Sequence, residues 1–207
     1  MITLFLMRHG ETWANRLGIL QGTLDNQLSS LTTTSQQLAR QSQYLLAKYR
    51  IDQIITSPLL RARQTSTLIR GESKIPIVTD SRLSEISYGT WNGELLVKLA
   101  QQFNEYIDQA TNDVMPSANC VNGGESYAHA QRRINAFLRE IAEQTTQQNV
   151  LVVTHGWIIK TLVAEGLNVP QANFNNPANL SLTKIIIEKA PYSFRLCYYN
   201  HQLRAEN

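Results

Sequence analysis

Arg8, His9 and His155 are the residues whose placement most directly invites chemistry. The apolar run Leu6-Met7 breaks into Arg8-His9-Gly10-Glu11-Thr12, and Val150 to Thr154 breaks in the same way into His155-Gly156. Both runs have the composition of buried strands, and in open α/β sheets ligands bind outside the carboxyl ends of the strands. A lone histidine at a strand end is as readily a structural residue as a reacting one. Two at matching strand ends can face each other across one site.

A further strand end, Thr56-Ser57-Pro58-Leu59-Leu60-Arg61-Ala62-Arg63-Gln64-Thr65, runs into a helical pattern. Pro58 suits the first turn of that helix. Helix N-termini attract anions, and Arg61 in the first turn can hold a phosphate oxygen, although Arg61 and Arg63 taken alone would read as a solvated face. Between Leu83 and Gly93, glycines and aromatics surround Glu85. A carboxyl walled in this way keeps its proton near neutral pH, as a general acid must; in isolation it would be a surface charge.

These side chains need a scaffold. Apolar runs rich in β-branched residues at 2 to 7, 51 to 56, 75 to 79 and 149 to 154 read as strands buried on both faces. Helical spacing marks Leu38, Leu45, Leu46 and Tyr49, then Leu60 to Ile69, then Ile134, Phe137, Leu138 and Ile141. Strands alternating with helices make an α/β fold with a largely parallel sheet. Leu182 to Glu188 and Phe194 to Tyr199, flanking Lys189-Ala190-Pro191-Tyr192, read as a hairpin that adds antiparallel strands. Residues 100 to 124 have weaker periodicity and suit an insertion over the site.

Composition narrows the classes. With 43% hydrophobic and 17% charged residues the chain has enough apolar side chain for a sizeable core and too little charge for disorder. A net charge of +3 with scattered Lys and Arg points away from nucleic acid and from a membrane surface, and leaves a small anionic substrate. Met1 to Met7 is apolar but stops at Arg8, so it reads as a buried strand and neither a signal peptide nor a membrane span. Cys120 and Cys197 lie outside any metal-ligand spacing, which fits a reducing cytoplasm and no structural zinc. No repeat or linker divides residues 1 to 207, and no feature specifies an oligomeric state.

Taken in order, Arg8-His9-Gly10-Glu11-Thr12, Ser57-Pro58 through Arg61-Ala62 to Gln64-Thr65, Glu85 with Tyr88-Gly89 and Trp91 to Gly93, Gly123-Gly124-Glu125-Ser126 and Thr154-His155-Gly156 resemble the histidine phosphatase superfamily, the group that includes phosphoglycerate mutase. The resemblance spans nearly the whole chain. It implies a three-layer phosphoglycerate mutase-like fold, with a mixed, mostly parallel sheet flanked by helices, a lid-like segment at about 86–125, and no metal or cofactor. It further implies that His9 is the nucleophile that accepts the phosphoryl group, that Arg8, Arg61 and His155 surround the phosphoryl oxygens, and that Glu85 is the general acid and base. By the same resemblance Asn15, Gln21, Gly22, Tyr88 and Gly156 contact the phosphate or the substrate. The chain departs from the family where Gln27 stands in place of a usual proline, with about three apparently inserted residues before Leu31-Thr32.

Within the family, the mutases use Arg and Lys of the inserted segment to hold a second acidic group, and Leu99 to Gln131 contains neither. That favours hydrolysis of small phosphate monoesters over mutase chemistry, although Tyr88 matches a mutase tyrosine. A dedicated metabolite phosphatase, such as one acting on α-ribazole phosphate, fits the pattern as well as a broad-range one. A non-catalytic binding module is disfavoured by the intact set Arg8, His9, Arg61, Glu85 and His155, and a metal-dependent hydrolase by the spacing of His9, His129, His155 and His201. His129 and His201 read as surface residues. Trp13, Trp91 and Trp157 adjoin the motifs, as pocket walls or as packing.

Overall fold

The computed structural model describes residues 1–109, 111–144, 148–189 and 192–202. In chain order the elements are β1 (Ile2–Arg8), α1 (Trp13–Arg16), α2 (Thr33–Gln41), α3 (Tyr44–Lys48), β2 (Gln53–Thr56), α4 (Leu60–Arg70), β3 (Ile77–Thr79), α5 (Leu96–Gln102), α6 (Asn119–Asn122), α7 (Tyr127–Gln144), β4 (Asn149–Thr154), α8 (Gly156–Leu167), β5 (Leu182–Lys189) and β6 (Tyr192–His201). The six strands form one mixed sheet in the order β3-β2-β4-β1-β5-β6. The pairs β3-β2, β2-β4 and β4-β1 are parallel, and β5 and β6 add antiparallel beyond β1.

The unbroken apolar runs follow from this position, because the central strands are covered on both faces. Leu4 and Leu6 of β1 and Val150 and Val152 of β4 pack with Ile134 and Phe137 of α7 and Ile158 and Leu162 of α8. Phe5, Met7, Leu151 and Val153 point the other way, against Ala39 of α2, Leu45 and Leu46 of α3, and Ala62 and Ile69 of α4. The result is a helix–sheet–helix sandwich, an α/β architecture as the alternation of elements implied.

Several boundaries move. The first helical stretch is two helices, with Leu38 on its exposed side while Ser35 and Ala39 are buried. The hydroxyl of Ser42 donates to the Leu38 carbonyl at 2.9 Å at the break, a local bond that competes with helix continuation. The third strand shrinks to Ile77–Thr79, an edge strand with Val78 exposed. The terminal hairpin forms, but β6 runs on past Tyr199 to His201, which ends the strand at the surface. Ala190 and Pro191 of the turn lie outside the described residues. Between Gly89 and Asn122 short helices pack around a small core of their own, Trp91, Leu99, Ile107, Val114 and Ala118. Among the described residues no helix is long and apolar enough to cross a membrane.

Candidate active site

Parallel pairing sets Arg8 at the end of β1 opposite Thr154 at the end of β4, so the next residues, His9 and His155, leave the sheet side by side. The His9 amide donates to the Thr154 carbonyl at 2.9 Å, and the two imidazole centroids are 5.2 Å apart. His9 Nδ1 is 2.8 Å from the Gly10 carbonyl, which accepts but cannot donate, so the hydrogen-bond pattern assigns the proton to Nδ1 and the lone pair to Nε2. His155 is the other tautomer: Nδ1 accepts from Arg61 and Nε2 faces the Ser57 hydroxyl at 2.7 Å. Burial, then the Arg61 guanidinium, holds both imidazoles well below the usual histidine range. Both are neutral at physiological pH.

Arg61, in the first turn of α4, is 1% exposed, which a guanidinium tolerates only when its donors are matched. Its terminal nitrogens donate to the carbonyls of Leu24 at 3.1 Å and Gly22 at 2.7 Å. Its Nε is 3.2 Å from both His9 Nε2 and His155 Nδ1. Burial lowers this group to about 10, so it stays cationic at neutral pH. Gly22 can present its carbonyl because its φ is +49°, and a Cβ there would lie 2.0 Å from Asn92 Oδ1. Arg63 points to solvent.

The start of α4 differs from the sequence expectation. Leu59 is the cap and Pro58 precedes it, so Pro58 is outside the first turn. The Leu60 amide donates to the Asp25 carboxylate at 2.7 Å, so the entrance loop already supplies an anion to this helix end. The residues just before the departure from the family pattern hold the site together, because Gly22, Leu24 and Asp25 fix Arg61 and its helix.

Glu85 is set by its neighbours. The Thr154 hydroxyl donates to the Leu83 carbonyl at 2.7 Å, and the Glu125 amide donates to the Ser87 carbonyl at 2.8 Å, pinning the loop on both sides. Glu125 is held in turn by Arg133 at 2.9 Å and by His129 at 2.6 Å, and His129 is solvent-exposed as read from sequence. Gly124 allows the close approach, since a Cβ there would meet the Ser87 oxygen at 2.4 Å. Burial raises the Glu85 carboxyl above the usual range, and Arg61, the Ile86 amide, Arg8 and Arg133 pull it part of the way back. Part of its surface remains open to the cavity.

That cavity, of about 780 Å³, brings together Arg8, His9, Asn15, Gln21, Gly22, Arg61, Glu85, Tyr88 and Gly156. His155 sits behind this wall, fully buried, and reaches it through Arg61. Arg8 is anchored by one terminal nitrogen to the Pro177 carbonyl at 2.7 Å, while its Nε is buried with no hydrogen-bond partner among the described residues. The Asn15 carbonyl accepts from both the amide and the hydroxyl of Thr12 at 3.1 Å, so a ligand would meet its amide nitrogen. Gln21 is 7% exposed and its Oε1 has no hydrogen-bond partner among the described residues. Of the tryptophans, Trp157 lines the cavity, Trp91 packs in the small core, and Trp13 is exposed beneath Arg16. Among the described residues no group of three His, Cys, Asp or Glu side chains is arranged to hold a metal ion.

The model of the histidine phosphatase superfamily (branch 1) matches residues 4–200. The chain belongs to this superfamily. It is 29% identical to phosphoserine phosphatase 1 of Hydrogenobacter thermophilus over 178 residues, 84% of this chain and 80% of that one. It is 28% identical to a probable phosphoglycerate mutase, GpmB, of Yersinia enterocolitica, covering 93% and 88% of the two chains. Bacillus stearothermophilus YhfR superposes with a TM-score of 0.85 at 29% identity, covering 98% of each chain. The fold of this histidine phosphatase is thus the phosphoglycerate mutase-like one.

Several residues of this histidine phosphatase site lay outside the sequence reading. Lys160 of α8, 5% exposed, lines the cavity and donates to Asp113 at 2.7 Å. Asn176 donates to the other oxygen of Asp113. Ser57 was noticed only as part of its motif, yet it is the partner of His155. Lys160 had a legible signal, a lone charge in the apolar run Trp157 to Val163, four residues after Gly156 on the same helix face.

Proposed function

We propose that this histidine phosphatase is a phosphoric monoester hydrolase that works through a phosphohistidine on His9, without metal or other cofactor, on a small phosphorylated metabolite. The observation that carries the reading is the state of His9: Nδ1–H is committed to Gly10, and the Nε2 lone pair faces Arg61 at the cavity wall. A phosphate oxygen entering between them takes the Arg61 donor and sets phosphorus before Nε2. The N–P bond forms as the ester P–O bond breaks, and Glu85, whose burial favours the protonated form, gives its proton to the leaving oxygen. Water then attacks phosphorus, passes a proton to the Glu85 carboxylate and releases inorganic phosphate with His9 neutral again. Arg8 and Arg61, backed by His155, offset the phosphoryl charge, where most of the catalysis of such transfers resides.

In this reading Asn15, Gln21 and Gly156 contact the phosphate, Gly22 holds Arg61, and Tyr88 lies along the leaving group. Residues 1–207 act as one domain, with 86–125 as a lid: Asp108 and residues 111–116 lie along the cavity and cover the leaving-group side. The exposed, unpaired Cys120 and Cys197 support a reducing, cytoplasmic setting. A mutase would draw on Lys160, a cation that segment 99–131 does not supply, but its pairing with Asp113 neutralises it and favours hydrolysis.

The test is phosphate release from p-nitrophenyl phosphate, 3-phosphoglycerate and nucleoside monophosphates with EDTA present, alongside mass spectrometry of the enzyme quenched in alkali, where the N–P bond of a phosphohistidine survives. Wild type should release phosphate and carry one trapped phosphoryl group, and His9→Ala should do neither. Equal release by His9→Ala removes His9 as nucleophile, and activity lost to EDTA removes the metal-free mechanism.

A further inference from the structure

The cavity has a second polar cluster that the transfer chemistry leaves unused. Lys160 projects into the wall one turn after Gly156, in the buried stretch Gly156 to Ala164 of α8, where every other residue is uncharged. A lysine in that setting is retained at a cost unless it is paired, and its partner, Asp113, comes from the segment lying over the cavity. Asn176 donates to the other Asp113 oxygen, and its own Oδ1 would lie 3.0 Å from a Cβ at Gly156, which in turn would be 3.6 Å from the Arg8 guanidinium. The cluster therefore adjoins the phosphoryl end of the cavity, at the reach of a short leaving group. Tyr127 steadies Asp113 by donating to the carbonyl of the next residue, Val114, at 2.5 Å.

Resting on the phosphatase reading above, we infer that Lys160, Asp113 and Asn176 form a leaving-group subsite that selects a zwitterion, a small alcohol bearing both an ammonium and a carboxylate. Charge matching decides among leaving groups. An apolar one makes no use of the buried pair. An anionic one must displace Asp113 from Lys160 and leave two negative groups in a half-enclosed space. A zwitterion inserts with its carboxylate on Lys160 and its ammonium on Asp113, so each charge keeps a partner and the cluster stays neutral. Asn176 holds Asp113 in place while the pair opens.

The experiment compares kcat/KM for O-phosphoserine, 3-phosphoglycerate and p-nitrophenyl phosphate in wild type, Lys160→Met, Lys160→Arg and Asp113→Asn. The first two substrates differ at the carbon that bears ammonium or hydroxyl, and the third carries neither charge on its leaving group. Wild type should prefer O-phosphoserine to 3-phosphoglycerate by about tenfold or more, the scale of one charged hydrogen bond. Asp113→Asn should erase that preference. Lys160→Met should lower the ratio of O-phosphoserine to p-nitrophenyl phosphate activity about tenfold, chiefly through KM, and Lys160→Arg should restore part of it. Equal wild-type use of the two charged substrates, or a loss in Lys160→Met that is the same for all three, overturns the subsite and leaves the phosphatase. No release of phosphate from any of the three by wild type overturns the phosphatase reading and the subsite with it.

Discussion

Arg61 Nε lies 3.2 Å from His9 Nε2, while both terminal nitrogens of the same guanidinium are held by the carbonyls of Gly22 and Leu24. The guanidinium is thereby held through both terminal nitrogens, and its Nε–H is aimed at the lone pair proposed to attack phosphorus. Preorganisation of this kind avoids reorientation at the moment of transfer.

Arg61→Lys keeps the charge and loses the fork. A lysine ammonium cannot reach two loop carbonyls and both histidines from one rigid plane. Stopped assays of phosphate release should show kcat lower by about 10² to 10³, the range for removal of one charge-stabilising donor. A lysine variant within a fewfold of wild type would mean that charge alone matters at this position.

The activity profile should be displaced toward acid. The first step needs His9 neutral and Glu85 protonated. His9 is pushed well below its ordinary 6.5, chiefly by burial, and Glu85 is pushed above its ordinary 4.5 by the same cause. Wild-type kcat/KM should therefore persist below pH 6.5 and fall on the alkaline side as Glu85 ionises. In Glu85→Gln the alkaline limb should vanish from what activity remains, and its survival would remove Glu85 as the acid.

Glu85 also couples stability to pH. Its folded-state pKa is raised, so the folded form binds the proton more tightly than the unfolded chain, and this contribution is complete below about 4.5 and lost as pH rises through the folded value. Glu85→Gln can keep the bond from the Ile86 amide, which Glu85 Oε1 accepts at 3.0 Å, without carrying a charge. Thermal melts should find the variant more stable than wild type at about pH 8, with the gap closing toward about pH 4.

Two glycines with positive φ should behave differently. At Gly18, with φ +69°, nothing among the described residues lies within 4 Å of where a methyl would sit, so Gly18→Ala should cost only about 1 kcal/mol of backbone strain and little activity. At Gly22 the same change meets Asn92 Oδ1 at 2.0 Å and moves the carbonyl that holds Arg61. Gly22→Ala should cost about 2 to 3 kcal/mol and lower kcat/KM as well, as read by urea melts beside the activity assay.

The strand-end histidines and Arg61 were legible in the sequence because each sits next to an abrupt change in local character, from apolar run to His-Gly or from strand to helix, and Glu85 because glycines and aromatics surround it. Short-range preference sets those boundaries, and the α/β alternation follows from them. The sequence alone could not pair β1 with β4, since the strand order depends on which apolar faces meet across the chain, and that pairing is what places His9 beside His155. It could not show that Asp25 closes the start of α4, or that the departure around Gln27 leaves Arg61 held by its loop. Above all, the absence of basic residues from 99–131 read as an absence of cations from that part of the cavity, whereas Lys160 enters from α8 and meets Asp113 there. Chain composition fixes which charges exist. Only packing, by bringing elements distant in sequence to one wall and removing water between them, decides which charges face one another and therefore which substrate they can hold.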